Sequence, residues 1–275
     1  MELSDIRIYP VKSVAGIRLD RAQVLPWGLE GDRRWGVVDP QGDIYWSGEH
    51  PQYLAVHATI TPEGGLILAA PGLGELKVPP ADGPLVPVAF HGLDKAMLAH
   101  DDAHEWFTRL LGKPARFVWL DDPNRRRIVE EHGGLPGEVT SLAWDAPLHL
   151  VTRESLRRLD DWIMEGALQR QEAPPEPLDV ARFRPNVVVD GFEPFEEDTW
   201  SWVRIGDVDF RVSELVDRCF VTTWAPDTRE RGKEPLRTLA KHRRWDGNTW
   251  FGIRLVPKNP GELKIGDRVV PTVRK

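Results

Sequence analysis

The sequence predicts a β-rich α+β chain, with an N-terminal β-barrel or sandwich domain packed on a second β-barrel domain that carries peripheral helices. Three observations predict it. Short segments with apolar residues at alternate positions recur along the chain. The 24 prolines and 24 glycines are spread out rather than clustered, as many short strands joined by turns require. Helical periodicity is confined to a few stretches.

In order, Asp5–Tyr9 reads as a strand stopped by Pro10, because proline cannot donate to a ladder, so Val11-Lys12-Ser13 leaves the sheet as a loop. Ile17–Val24 follows with period two. Trp27–Asp32 is a turn segment, and Arg33–Val38 is a strand that turns at Asp39-Pro40-Gln41-Gly42 into Ile44-Tyr45-Trp46. Tyr53–Thr61 and Leu66–Ala70 flank a second hairpin turn, and Glu75–Val78 and Leu85–Ala89 add short strands. A helix follows, N-capped by Asp101 and ended by Gly112, with Trp106, Phe107, Leu110 and Leu111 as its apolar stripe. Ala115–Leu120 is a strand. The charged, glycine- and proline-rich stretch Asp121–Glu138 is a boundary or an ordered loop, so domains of 1–120 and 121–275 are expected.

The second half opens with the strand Leu148–Val151. Thr152 caps a helix through Ala167, with Leu156, Leu159, Ile163 and Ala167 on one face. Glu172–Pro177 is a proline-rich loop. A helical turn over Asp179–Phe183 leads to the buried strand Val187–Val189. Trp202–Ile205 and Val208–Val212 flank the hairpin turn Gly206-Asp207, and a strand bearing Cys219 follows. Pro235–Arg243 is a helix, Phe251–Val256 a strand, and Arg268–Val270 closes the chain.

Composition limits the function. A formal net charge of −7 and a pI near 5.7 give no overall electrostatic support for nucleic acid or a membrane surface as partner. No apolar run approaches the roughly 20 residues that span a bilayer. Met1–Asp5 lacks a secretion signal, and a reducing cytoplasm suits a chain with one cysteine. Gly-rich phosphate loops, Walker patterns and nucleophile elbows are missing. A single thiol rules out four-thiolate zinc and iron–sulfur ligation. His100 and His104 have the i, i+4 spacing of a metal pair but lack a third ligand and a base, and a solvated helix start describes them better.

Cys219 cannot form an internal disulfide, so it is either inert packing or a reagent. A nucleophilic role would need a base, for which His149 and His242 are the candidates. Lys12-Ser13 after a strand, Arg33 and Arg34 beside Trp35, Arg184 and Asn186 around a proline, and Arg218 beside Cys219 are individually ordinary surface residues. Together they are the types that clamp an anionic group, and cationic neighbours favour the thiolate that binds a soft metal.

These residues resemble the MOSC proteins, in particular the branch with an N-terminal MOSC β-barrel domain that includes the mitochondrial amidoxime-reducing component and a bacterial N-hydroxylated-base reductase. The resemblance runs over Ile8–Ser13, Gly31–Trp35, Arg182–Asn186, Arg218-Cys219 with Thr222-Thr223, Phe251-Gly252, Asn259-Pro260-Gly261 and Gly266-Asp267, and so covers nearly the whole chain. It implies a molybdenum cofactor (Mo-molybdopterin) held between the two halves, with Cys219 as catalytic residue and protein ligand to molybdenum. Lys12 and Ser13 would contact the pterin or its phosphate, and Arg33 would fall at a cofactor-binding arginine. Arg184 and Asn186 would hold the cofactor from the other side, Thr152-Arg153 would contact phosphate at a helix N-terminus, and Asp217 and Arg218 complete the set around Cys219.

The implied activity is a molybdenum-dependent oxidoreductase reducing small N-hydroxylated or N-oxide compounds. Its electrons would come from a separate donor protein, ferredoxin-like or a flavin or haem reductase, because no ferredoxin domain follows the barrel. A cofactor carrier without turnover, or a sulfur-transfer module with a Cys219 persulfide, are the alternatives. The sequence departs from the branch at Asp217, where a small hydroxyl residue is common and which is expected to pair with an arginine such as Arg218. It departs again at Ile253-Arg254, where relatives tend to carry an aromatic.

Overall fold

The computed structural model describes residues 1–226 and 228–273. The chain forms two compact units, one of Ile8–Arg18 and Pro26–Pro147, the other of Met1–Arg7, Leu19–Leu25 and Leu148–Lys275. It is β-rich with three α-helices among the described residues, the α+β class that the alternation of apolar residues predicts.

In the amino-terminal unit, strands 35–38, 116–119, 93–98 and 85–90 form one antiparallel sheet in that order, and 57–60, 66–70 and 74–78 form another. The helix α1 (Asp101–Leu111) buries Ala103, Trp106, Phe107 and Leu111. Trp35 stacks on Phe117 at 5.0 Å, and Phe107 lies 4.7 Å from Phe117, so aromatic rings pack on one another within this core. His100, not Asp101, is the extended N-cap residue of α1. Asp101 and Asp102 sit inside the first turn, where acidic side chains complement the helix dipole. Tyr53 lies in a 3-10 turn, Pro51–Ala55, and the strand begins only at His57, because Pro51 starts a helical turn more readily than it joins a ladder. Tyr45 and Trp46 follow an isolated bridge between Val38 and Ile44 rather than a strand.

The carboxy-terminal unit is organised on seven strands: β1 (Glu2–Ile8), β2 (Leu148–Thr152), β3 (Val187–Asp190), β4 (Trp200–Ile205), β5 (Val208–Asp217), β6 (Asn248–Pro257) and β7 (Val269–Val273). Their order is β7-β4-β5-β6-β2-β3-β1. Every neighbouring pair is antiparallel except β2 and β3, which run parallel. A parallel pair needs a crossover, and α2 (Arg153–Gln169) supplies it. Leu159, Ile163 and Ala167 of α2 are buried, and Val151, Phe183, Val188, Phe251 and Leu239 of α3 (Leu236–His242) share the core with Leu159 and Ile163. Strand β5 breaks register between Val212 and Leu215 and again between Leu215 and Asp217. Such bulges bend a strand and re-aim its side chains.

Candidate functional site

Cys219 does not lie on a strand. Strand β5 ends at Asp217, and Cys219 is the extended residue that opens a 3-10 turn over Phe220–Thr223. The two threonine hydroxyls make the turn: Thr222 Oγ1 donates to the Cys219 carbonyl at 3.0 Å and Thr223 Oγ1 to that of Phe220 at 2.6 Å. The thiol is exposed.

Its neighbour Arg218 is anchored by backbone. The Arg218 amide donates to the Thr249 carbonyl at 2.7 Å. Its guanidinium donates from Nε and Nη2 to the Phe251 carbonyl at 2.9 and 2.6 Å, and from Nη1 to that of Phe183 at 3.2 Å. It lies 5.3 Å from the centre of the Phe183 ring. Arg218 Nη2 also meets His149 Nε2. A guanidinium can only donate, so Nε2 is the acceptor and the His149 proton sits on Nδ1. His149 therefore serves Arg218, and His242, the other candidate base, stacks on Trp162 at 4.4 Å.

Gly252 makes this arrangement possible. Its φ is +79°, and a Cβ there would lie 2.5 Å from His149 Nε2 and 2.7 Å from the Leu150 carbonyl. Only glycine admits both the backbone and the close approach.

Asp217 pairs not with Arg218 but with Arg254, whose Nη2 lies 2.9 Å from Asp217 Oδ1. Arg254 Nη1 meets Glu214 Oε1. Arg218 is turned toward the carbonyls of Phe183 and Phe251, while the bulges of β5 bring Glu214 and Asp217 to the buried Arg254 of the adjoining strand. Asp217 and Arg254, the two positions expected to depart from the related reductases, are thus partners of each other.

Asn186 is buried and joins two strands. Its Oδ1 accepts from the His149 amide at 3.2 Å and its Nδ2 donates to the Arg7 carbonyl at 3.1 Å. Arg184 adopts the left-handed region (φ +53°) at the end of the turn Val180–Phe183. Thr152 is fully buried as the N-cap of α2. Its hydroxyl and that of Ser155 lie 3.1 and 2.9 Å from Glu197 Oε2. Burial pushes the Glu197 carboxyl up to about 7, against the lowering effect of the Ser155 hydroxyl. Arg153 reaches Asp190 Oδ2 at 3.2 Å and Ser4 Oγ at 3.1 Å.

The remaining candidates belong to the amino-terminal unit. Lys12 is buried, donates to the Leu142 carbonyl at 3.1 Å and lies over the rings of Phe90 and Trp144 at 4.7 and 5.0 Å. Arg33 Nη1 pairs with Asp32 Oδ2 at 2.5 Å and its guanidinium covers Tyr9 at 4.4 Å. Ser13 (φ +73°) and Arg33 (φ +49°) are left-handed like Arg184. Each such conformation costs about 1–3 kcal/mol and persists where the surroundings over-determine it, often at binding sites. His104 is no metal ligand partner for His100: its Nδ1 accepts the Phe117 amide at 2.9 Å, while His100 Nε2 lies 3.2 Å from Asp82.

The MOSC domain family profile matches residues 131–270, and that of the MOSC N-terminal beta barrel domain matches residues 1–114. The chain belongs to the MOSC family. It is 31% identical to the mitochondrial amidoxime reducing component 2 of Bos taurus, over 99% of this chain and 83% of that protein. It is 26% identical to the molybdenum cofactor sulfurase of Solanum lycopersicum, over 98% of this chain but 35% of that protein. Among solved structures, the YUAD protein of Bacillus subtilis aligns over 100% of this chain and 96% of its own, with a TM-score of 0.42 and 11% identity. No helix among the described residues of this MOSC protein is long and apolar enough to cross a membrane.

The sequence offers His149 as a candidate base and Arg254 as a departure from the branch, but nothing in it pairs His149 with Arg218 or Arg254 with Asp217. A polar residue opposite another on paired strands is visible only once register is known, and His149 and Arg254 are opposite each other on β2 and β6.

Proposed function

We propose that this MOSC protein binds the molybdenum cofactor through the Cys219 thiolate and reduces small N-hydroxylated or N-oxide compounds, with electrons from a separate redox protein. The observation that carries the reading is an exposed thiol whose backbone is fixed on both sides, by the Arg218 anchor and by the Thr222 hydroxyl on the Cys219 carbonyl. The donor chemistry suits the group: a thiolate is the soft ligand such a metal takes.

When bound, the cofactor would supply two-electron reduction, so that an N-hydroxy compound, two electrons and two protons give amine and water. Arg218 acts as a positioning residue, holding Cys219 through Phe183 and Phe251. Gly252 admits His149, and His149 completes the coordination of the Arg218 guanidinium. Asn186 keeps His149 in place through its amide. Arg184 offers a guanidinium from a backbone conformation that few residues adopt without cost.

The amidoxime reducing relative, similar along 99% of this chain, supports the reductive reading. The sulfurase relative and the same exposed thiol support a second one, transfer of a Cys219 persulfide sulfur. Purification from a host that makes the cofactor, followed by metal and pterin analysis and by hydroxylamine reduction with an artificial donor, separates them. Molybdenum at one per chain, lost in Cys219→Ala together with activity, is expected. Metal and pterin without turnover would make the chain a carrier, and an added sulfur on Cys219 without molybdenum would make it a sulfur-transfer module.

A further inference from the structure

A second cluster of ligand-type side chains lies wholly in the amino-terminal unit. His91, His132 and Asp145 each place one ligand atom within 4.8 Å of the others. His132 Nε2 is 3.4 Å from Asp145 Oδ1. Two ligands on a tetrahedral zinc, each at about 2.0–2.1 Å from the metal, stand about 3.3 Å apart, so this pair already has the required separation. The two imidazole rings are perpendicular with centres 5.7 Å apart, and His91 is exposed.

The three residues come from two parts of the chain, the hairpin at His91 and the stretch that holds His132 and Asp145, and backbone sets each part. His91 sits at the tip of the hairpin between strands 85–90 and 93–98, beside Gly92 (φ +75°), where a Cβ would meet the Arg127 carbonyl at 2.9 Å. His132 ends a 3-10 turn closed by Gly133 (φ +70°). Next, Gly134 packs so that a Cβ would fall 2.3 Å from the Ile128 carbonyl. Asp145 is buried.

Arg126, also buried, ties these two parts together. Its Nε donates to the His91 carbonyl at 2.9 Å, and its terminal nitrogens donate to the carbonyls of Ser141, Ala143 and Trp144. The hairpin that carries His91 and the backbone leading to Asp145 are therefore held by one guanidinium, which pre-organises the ligand set.

We propose that His91, His132 and Asp145 bind a divalent transition-metal ion of the zinc class, with water in the fourth position. Two imidazoles and one carboxylate are a borderline donor set that suits zinc rather than calcium or magnesium, which prefer oxygen alone. The ion clips residues 121–147, which contain neither an α-helix nor a β-strand, onto the hairpin of the neighbouring sheet. Metal binding then stabilises this unit by mass action.

The test is equilibrium dialysis of the metal-free 275-residue chain against zinc chloride, with cobalt chloride as a spectroscopic probe. The wild-type chain retains one zinc, cobalt gives the visible bands of a four-coordinate nitrogen–oxygen site without thiolate charge transfer, and the thermal midpoint rises with zinc concentration. His91→Ala changes an exposed residue and leaves folding intact, yet weakens zinc binding by at least about tenfold. Asp145→Asn, at a buried position, weakens zinc binding likewise, and Cys219→Ser binds as the wild type does. Equal uptake by wild type and His91→Ala, loss of uptake in Cys219→Ser, or no uptake by the wild type would each overturn the proposal, the last leaving His132 and Asp145 as an ion pair only.

Discussion

Arg254 Nη2 lies 2.9 Å from Asp217 Oδ1, and the same guanidinium meets Glu214 from its other terminal nitrogen. Arg254 is 6% exposed, whereas the Asp217 side chain is 51% exposed. The two carboxylates therefore do unequal work. A half-exposed pair contributes about 0–1 kcal/mol, while a buried arginine deprived of its better-buried partner costs about 3–5 kcal/mol. Asp217→Ser should lower stability by less than about 1 kcal/mol and Glu214→Ala by more. Urea unfolding of both variants checks the ranking, and equal losses would show that Arg254 does not distinguish its partners.

Glu197 makes stability depend on pH. Its folded carboxyl stands at about 7 against an ordinary 4.5, because burial disfavours the charge. Below about pH 4.5 it is neutral in both states. Between about 4.5 and 7 the unfolded chain loses the proton while the folded chain keeps it, so unfolding is favoured progressively as pH rises. Stability from this group is thus fully present at low pH and lost through that window, by a few kcal/mol in all. Glu197→Gln should remove that contribution. A difference between the wild-type and variant stability curves that stays flat from pH 4.5 to 7 would contradict it.

Gly252→Ala should destabilise the chain by more than about 1 kcal/mol, since φ +79° disfavours any Cβ and His149 and the Leu150 carbonyl occupy its space. Molybdenum content should fall with it, because His149 is pushed from Arg218. Retention of wild-type stability would mean that the strand pair relaxes around the new methyl.

Arg218→Lys keeps the charge but loses the fork that reaches two carbonyls at once. Cofactor content is expected to drop at least about tenfold, with a smaller effect on the unfolding midpoint. A lysine variant that loads fully would show that charge rather than geometry is what Cys219 needs.

Arg184→Gly removes the guanidinium while suiting φ +53°. It should unfold within about 1 kcal/mol of the wild type, whereas Arg184→Ala, which keeps the backbone cost, should be weaker. Cofactor loading lost equally in both would separate the side chain's role in binding from its role in folding.

The sequence by itself determined the β-rich class, the turns, the membership of the MOSC family and the singular position of Cys219. Those features are local: alternation, turn residues and short motifs are properties of neighbouring residues in the chain. What the tertiary structure decided is which polar groups meet. Asp217 finds Arg254 rather than Arg218 because β5 bulges twice opposite β6. The N-terminus of α2 faces Glu197, 42 residues from Ser155, because a parallel crossover carries the chain back across the sheet. His91, His132 and Asp145 converge because Arg126 binds carbonyls from two distant segments. Register, bulges and crossovers are set by packing over long separations, so a reading of local pattern names the right residue types without assigning their partners.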